Sequence, residues 1–129
     1  EITGYGYAGC CDIIYVDTNG ETILGDFKTS AGPYSYKFPR ASANLDEQLR
    51  KALISGVFKL KKTQLQLAAY KIAAEKCLGI KIDKTQIIVS TPNPEFSVQV
   101  FTFGKNDVEK HEEQWMEVVK KFYNLQTSP

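Results

Sequence analysis

Residues 9–30 read GCCDIIYVDTNGETILGDFKTS, and this stretch decides how the chain folds. β-Branched and aromatic residues are frequent on both sides of the triplet Thr-Asn-Gly at 18–20. Such residues favour strands, and the triplet is typical of a tight turn. The stretch therefore predicts a β-hairpin whose strands are Cys10–Asp17 and Glu21–Lys28.

The geometry of that turn determines which side chains face one another. A three-residue loop with Gly20 in the left-handed conformation places Asp12 opposite Asp26. Lys28 then lies two residues further along the same face, and Phe27 points to the other face, into the core. A two-residue turn would instead place Asp12 opposite Phe27 and separate the two acids.

Two neighbouring carboxylates beside a lysine form a site of hard oxygen ligands. Mg²⁺ and Mn²⁺ prefer such ligands and also bind water and substrate phosphate. A bound cation polarises a phosphoryl oxygen and lowers the pKa of a water, while the lysine orients or deprotonates the nucleophile. The pattern indicates phosphodiester hydrolysis, but an isolated Asp-x-Lys spacing is common and also fits a solvated pair at a sheet edge.

The rest of the chain predicts an α/β (α+β) domain with a central mixed sheet. Residues 31–42 contain two prolines and are expected to form a loop. The other expected elements are strands at 2–8, 85–90 and 96–103 and helices at 44–55, at 63–78 and from Asn106 onward. This gives the order β-β-β-α-α-β-β-α, with Gly79 ending the second helix.

Apolar periodicity predicts the buried faces of the last two elements. In the strand, with Phe101 outside the period, the expected apolar face consists of Phe96, Val98, Val100 and Phe103. In the final helix the expected apolar stripe consists of Trp115, Val118, Val119, Phe122 and Leu125.

The chain has 129 residues, 43% of them apolar, which is enough for one domain over residues 1–129 and too little for two. It begins at Glu1 without an initiator methionine, so an N-terminal portion is expected to be missing. With no long apolar run and no secretory leader, we expect an intracellular, cytoplasmic protein with no membrane contact; an organelle is also compatible. The three cysteines fit no disulfide or metal pattern and are expected to be small buried residues.

Charge is distributed unevenly along the chain. Residues 31–64 carry seven basic and two acidic side chains, a net +5 within a chain of net +1. Such a segment is typical of a surface that follows a phosphate backbone, and a solvated surface gives the same count. Aromatic and basic residues alternate from Pro33 to Arg40, which predicts either a platform for stacked bases or a loop pinned to the core.

Three motifs occur in a defined order. Gly-x-x-Asp at 9–12 is followed by Asp-Phe-Lys-Thr-Ser at 26–30 and by Gln-Leu-Ala-Ala-Tyr at 66–70. This order resembles the RecB-like branch of the PD-(D/E)XK nucleases, among them the mitochondrial genome maintenance exonucleases and phage exonucleases. The resemblance implies a restriction-endonuclease-like core of the order αβββαβ, whose leading helix is not part of this chain unless Glu1 is its last residue.

The resemblance also implies roles for the motif residues. Asp12 and Asp26 would bind Mg²⁺ or Mn²⁺ together with the main-chain carbonyl of Phe27. Lys28 would be catalytic, and Gln66 would help to hold the site or the DNA. Several relatives contain an iron–sulfur cluster held by four cysteines, but the cysteines here do not match that set, so no cluster is expected.

The expected partner is DNA, in single-stranded form. The residues expected to contact it are Thr29, Ser30, Tyr36, Lys37, Arg40, Lys61, Lys62 and Tyr70. The sequence thus predicts a metal-dependent deoxyribonuclease, acting as an exonuclease on single-stranded or frayed ends. The alternatives are a catalytically silent nucleic-acid-binding module with the same fold and a globular interaction domain with a chance motif match.

Overall fold

The computed structural model describes residues 12–127, so the strand expected at 2–8, Glu1 and the pair Cys10 and Cys11 lie outside the described part. The strands are β1 (Ile13–Val16), β2 (Thr22–Thr29), β3 (Lys84–Ser90) and β4 (Val98–Phe103). The helices are α1 (Glu47–Leu78) and α2 (Lys105–Thr127), and a single 3-10 turn, Pro94–Phe96, precedes β4.

The four strands form one mixed sheet in the order β1-β2-β3-β4. The outer pairs are antiparallel hairpins, whereas β2 and β3 are parallel because α1 connects them. Both helices pack on the same face of the sheet, where Leu24, Ile87 and Phe101 meet Leu67 of α1 and Val108 of α2. The predicted fold class, α/β (α+β) with a central mixed sheet, is confirmed.

The first hairpin has the predicted three-residue turn. Gly20 has φ +79°, and the backbone N–H of Asp17 donates to the carbonyl of Glu21 at 2.9 Å. The strands pair Ile13 with Gly25 and continue in that register to the turn. Extending the same register by one residue sets Asp12 opposite Asp26, as predicted.

The two helices predicted at 44–55 and 63–78 are one continuous helix of 32 residues, so the predicted break is wrong. Its first turn is capped by Asp46, whose carboxylate accepts from the N–H of Leu49 at 2.7 Å, and it ends before Gly79 as predicted. The helix continues through 56–62 because Val57 and Leu60 are buried there against the core. Packing of these side chains outweighs the low helix propensity of Gly56.

Two predicted apolar faces are only partly buried, and the burial predicted for one cysteine is wrong. In β4, Phe101 and Phe103 are buried while Val98 and Val100 are 65% and 57% exposed, because side chains alternate and the core face is set by the two phenylalanines. In α2 only part of the predicted stripe is covered: Val119 is buried, whereas the exposed members are Val118, Phe122 and Leu125. Cys77, expected to be buried, is exposed near the end of α1.

No helix within residues 12–127 is long and apolar enough to cross a membrane.

A close approach between α1 and the loop that follows β2 requires glycine at position 56. A Cβ there would overlap the carbonyl oxygen of Pro33.

We therefore expect Gly56→Ala to lower the free energy of unfolding by about 1–3 kcal/mol, although alanine favours helix by about 1 kcal/mol elsewhere. Urea unfolding measures the change. Ser55→Ala, at the exposed neighbouring position, is the control and should be neutral or slightly stabilising; an equal response of the two variants would contradict the expectation.

Candidate active site

The hairpin register brings Asp12 and Asp26 into contact. Asp12 directly precedes β1, and its Oδ2 accepts a hydrogen bond from the backbone N–H of Phe27 at 2.7 Å. Asp26 lies in the middle of β2, and the two carboxyl groups are within hydrogen-bonding reach of each other. Residues that are 14 positions apart in the sequence thus form one acidic pair at the edge of the core.

The two acids have different environments. Asp26 is buried and Asp12 is exposed. Burial, followed by the contact with Asp12, raises the pKa of Asp26, and the nearby Lys28 only partly offsets this. The contact with Asp26 and the N–H of Phe27 lower the pKa of Asp12. The pair therefore consists of a desolvated carboxyl group and a solvated one.

Lys28 connects the acids to α1. Its Nζ lies 3.2 Å from Oδ2 of Asp26, at ion-pair distance but outside hydrogen-bond geometry, and it donates to Oε1 of Gln66 at 3.3 Å. Burial alone would lower the pKa of Lys28, but the contact with Asp26 and its charge outweigh it, so the pKa is raised. Tyr70, one turn beyond Gln66, is half-buried and close enough to affect Lys28 electrostatically. The structure brings all of these predicted residues together.

Phe27 is not in the core, so the prediction for its side chain is wrong. It is 52% exposed because it faces the side of the sheet that neither α1 nor α2 covers. Thr29 also alternates to that outer side, away from Lys28, so its predicted DNA contact would lie on a different face from the acids.

The loop after β2 is only partly exposed. Tyr34 is buried. The ring of Tyr36 packs edge-on against Phe101, with the ring centroids 5.1 Å apart, and holds the loop to the core while 59% of the residue stays exposed. Lys37 and Arg40 are exposed, and within residues 12–127 neither forms an ion pair or a hydrogen bond with the acidic pair. Of the platform expected from Pro33 to Arg40, the exposed aromatic and basic members are therefore Tyr36, Lys37, Phe38 and Arg40.

The lysines in the middle of α1 differ in what they contact. Lys59 donates to Oγ of Ser30 at 3.1 Å, which places Lys59 and Ser30 beside the site. Lys61 lies over the ring of Phe38, and Lys62 is exposed. Lys59 is one of the basic residues of the +5 segment 31–64, and the predicted break in the helix hid its position, seven residues before Gln66 on the same flank.

No protein-family model and no curated protein sequence matches this chain significantly. The case for a function therefore rests on the residues and their geometry.

The raised pKa of Asp26 predicts how stability depends on pH. Because the folded state disfavours ionised Asp26, the wild type loses stability as pH rises from the ordinary aspartate pKa of 3.8 through the raised value. Asp26→Asn lacks this loss and keeps an amide beside Asp12, so its stability relative to wild type should increase over that interval and then level off. Lys28 stays protonated throughout and adds no pH dependence.

Urea unfolding of both proteins without metal, between about pH 3 and pH 8, measures this difference. Glu95→Gln removes an exposed acid and should show no comparable trend. A difference between wild type and Asp26→Asn that is independent of pH would contradict the environment assigned to Asp26.

Proposed function

We propose that the chain is the core of a metal-dependent deoxyribonuclease of the PD-(D/E)XK type, which hydrolyses phosphodiester bonds. The observation that carries the proposal is the assembly of Asp12, Asp26 and Lys28 by one hairpin register, with Gln66 supplied by α1. The order of the motifs in the sequence supports the same reaction. The resemblance further favours an exonuclease that acts on single-stranded or frayed ends.

The donor atoms present fit a hard divalent cation. Oδ2 of Asp26 is buried and has the amine of Lys28 at 3.2 Å but no aligned hydrogen-bond donor, so the oxygen is available to a metal ion. Within residues 12–127, no three His, Cys, Asp or Glu side chains are grouped so that they could hold a metal ion. Asp12, Asp26 and the carbonyl of Phe27 would therefore share Mg²⁺ or Mn²⁺ with water and substrate phosphate, which is usual for Mg²⁺.

When bound, such a cation would polarise the phosphoryl group and activate water. The chain's own residues would orient the reaction. Gln66 holds the amine of Lys28 beside Asp26, and from there the amine would donate to the oxygens of a bound phosphate or to the attacking water. Burial of Asp26 strengthens these interactions because water screens them less.

Cleavage of labelled single- and double-stranded DNA with Mg²⁺, Mn²⁺ or EDTA tests the proposal. Asp26→Asn and Lys28→Ala should each lower the cleavage rate by roughly a hundredfold or more, because each removes stabilisation of the transition state. The fold should be retained, as melting curves can verify.

Lys81→Ala is the matched control for Lys28→Ala, because the Lys81 side chain is 87% exposed and its ion pair is with Asp83. It should cut at the wild-type rate. Wild-type turnover by Lys28→Ala would contradict the assignment of the site. DNA binding by the wild type without cleavage under any metal condition would favour the silent binding module instead.

Metal binding should also stabilise the folded chain. A ligand at tens to a hundred times its dissociation constant adds about 1–3 kcal/mol, which corresponds to several degrees in melting temperature for a domain of this size. We expect this rise with millimolar Mn²⁺, and we expect Asp12→Asn to lose most of it. Glu113→Gln, which removes an exposed acid of α2, should respond like the wild type. Melting curves that Mn²⁺ leaves unmoved would rule out the metal site.

A further inference from the structure

Two exposed aromatic rings form a small surface beyond the candidate site. Phe58 of α1 is 61% exposed and Phe38 of the preceding loop is 48% exposed, and their rings meet edge to face with centroids 5.5 Å apart. Lys61 Nζ lies 5.8 Å from the centre of the Phe38 ring. We call Phe38 and Phe58 the aromatic platform. The platform thus presents flat apolar faces and a positive charge at one place on the surface.

The platform is connected to the site along one flank of α1. Phe58, Lys62 and Gln66 follow one another at intervals of four residues, so successive side chains lie about 5–6 Å apart on the same side. Gln66 holds Lys28 at the far end of this row. The distance along the helix axis from Phe58 to Gln66 is about 12 Å. One short bound strand can therefore touch both the platform and the site.

A second contact connects α1 with the candidate site. Lys59, the neighbour of Phe58, donates to Oγ of Ser30. Ser30 follows Lys28 by two residues, and its backbone N–H continues the ladder to β3, so the two positions are about 7 Å apart. The amine of Lys59, held at Ser30, thus offers a second positive charge near the one at Lys28, as contact with a backbone that carries one charge per phosphate requires.

Charge identifies the partner. Segment 31–64, which contains the whole platform, has a net charge of +5. Its two acids, Asp46 and Glu47, lie at the start of α1, about three turns of helix away from Phe58. A polyanion whose flat apolar groups can stack on the rings matches this surface. Unpaired bases on a phosphate backbone combine both properties, whereas the bases of a duplex are already stacked on one another.

We propose that the aromatic platform stacks the bases of a single nucleic-acid strand whose backbone passes Lys59 and Lys62 and enters the carboxylate site. The identification of the strand as nucleic acid rests on the proposed function. The inference assigns single-strand selectivity to Phe38 and Phe58. Tyr34 does not provide it, because it is buried; Tyr36 is 59% exposed, but its ring packs edge-on against Phe101 and Phe103 of the core and is not part of the Phe38–Phe58 pair.

Binding can be measured apart from cleavage, by fluorescence anisotropy in EDTA at fixed salt, with a labelled oligothymidylate and with a blunt duplex. Phe58→Ala should weaken oligothymidylate binding about tenfold, the usual effect of one lost stacking partner, and leave duplex binding unchanged. Phe58→Tyr keeps the ring and should bind like the wild type. Phe122→Ala, which removes a ring that is 55% exposed on α2, is the control and should have no effect on either ligand.

Substitution of Lys59 and Lys62 by glutamine should weaken both ligands and reduce the salt dependence of binding, because phosphate contacts are common to both. This response differs from that of Phe58→Ala. If Phe58→Ala weakened binding of both ligands equally, or of neither, the inference would be overturned. It would also be overturned if sedimentation showed a dimer that forms only when Phe58 is present, because the rings would then contact a second copy of the chain. Single-strand binding that depends on Phe58, without cleavage, would support the platform and contradict the proposed nuclease activity. Cleavage of single strands that Phe58→Ala leaves unchanged would support the nuclease activity and contradict the platform.

Discussion

The carboxylate of Asp17 holds the first turn closed, because it accepts hydrogen bonds from the N–H groups of Asn19 and Glu21, each at 2.9 Å. Gly20 completes the loop in the left-handed conformation that other residues rarely adopt. Together they fix the pairing of β1 with β2 to a single register. A slip of one residue would turn every side chain of one strand to the opposite face, so the contact between Asp12 and Asp26 depends on this turn.

The continuity of α1 also determines the geometry of the candidate site. A single helix carries Gln66, Lys59 and Phe58, so the groups that hold Lys28, Ser30 and Phe38 keep fixed spacings relative to one another. The loop between β2 and α1 is held against this helix at Gly56 and against β4 by Gln99, whose side-chain amide bonds both the N–H and the carbonyl of Tyr34. The described part of the site is therefore rigidly supported on both sides.

The turn and the acidic pair could be predicted because they follow from local rules. The chemistry of three turn residues sets the register, and the alternation of side chains along each strand then places both acids on the same face. Phe27 and Phe101 were placed on the wrong faces because alternation gives two faces without saying which one the helices cover. The predicted break in α1 began at Gly56, a residue of low helix propensity. Helix propensity does not reveal that a distant loop needs room at this position, which only the tertiary contact with Pro33 explains.

Burial changes steadily along the core face of β2. Leu24 is fully buried and Asp26 nearly so, while 31% of the Lys28 side chain is exposed. The acidic pair thus lies where the helix layer ends: deep enough that desolvation makes an uncompensated carboxylate unfavourable, yet open enough to admit the metal ion and the strand that we propose. A site further inside would exclude such a substrate, and one further out would lose the low dielectric environment that strengthens charge interactions. The rim of the core is the position that combines both requirements, and the hairpin register delivers the acids to it.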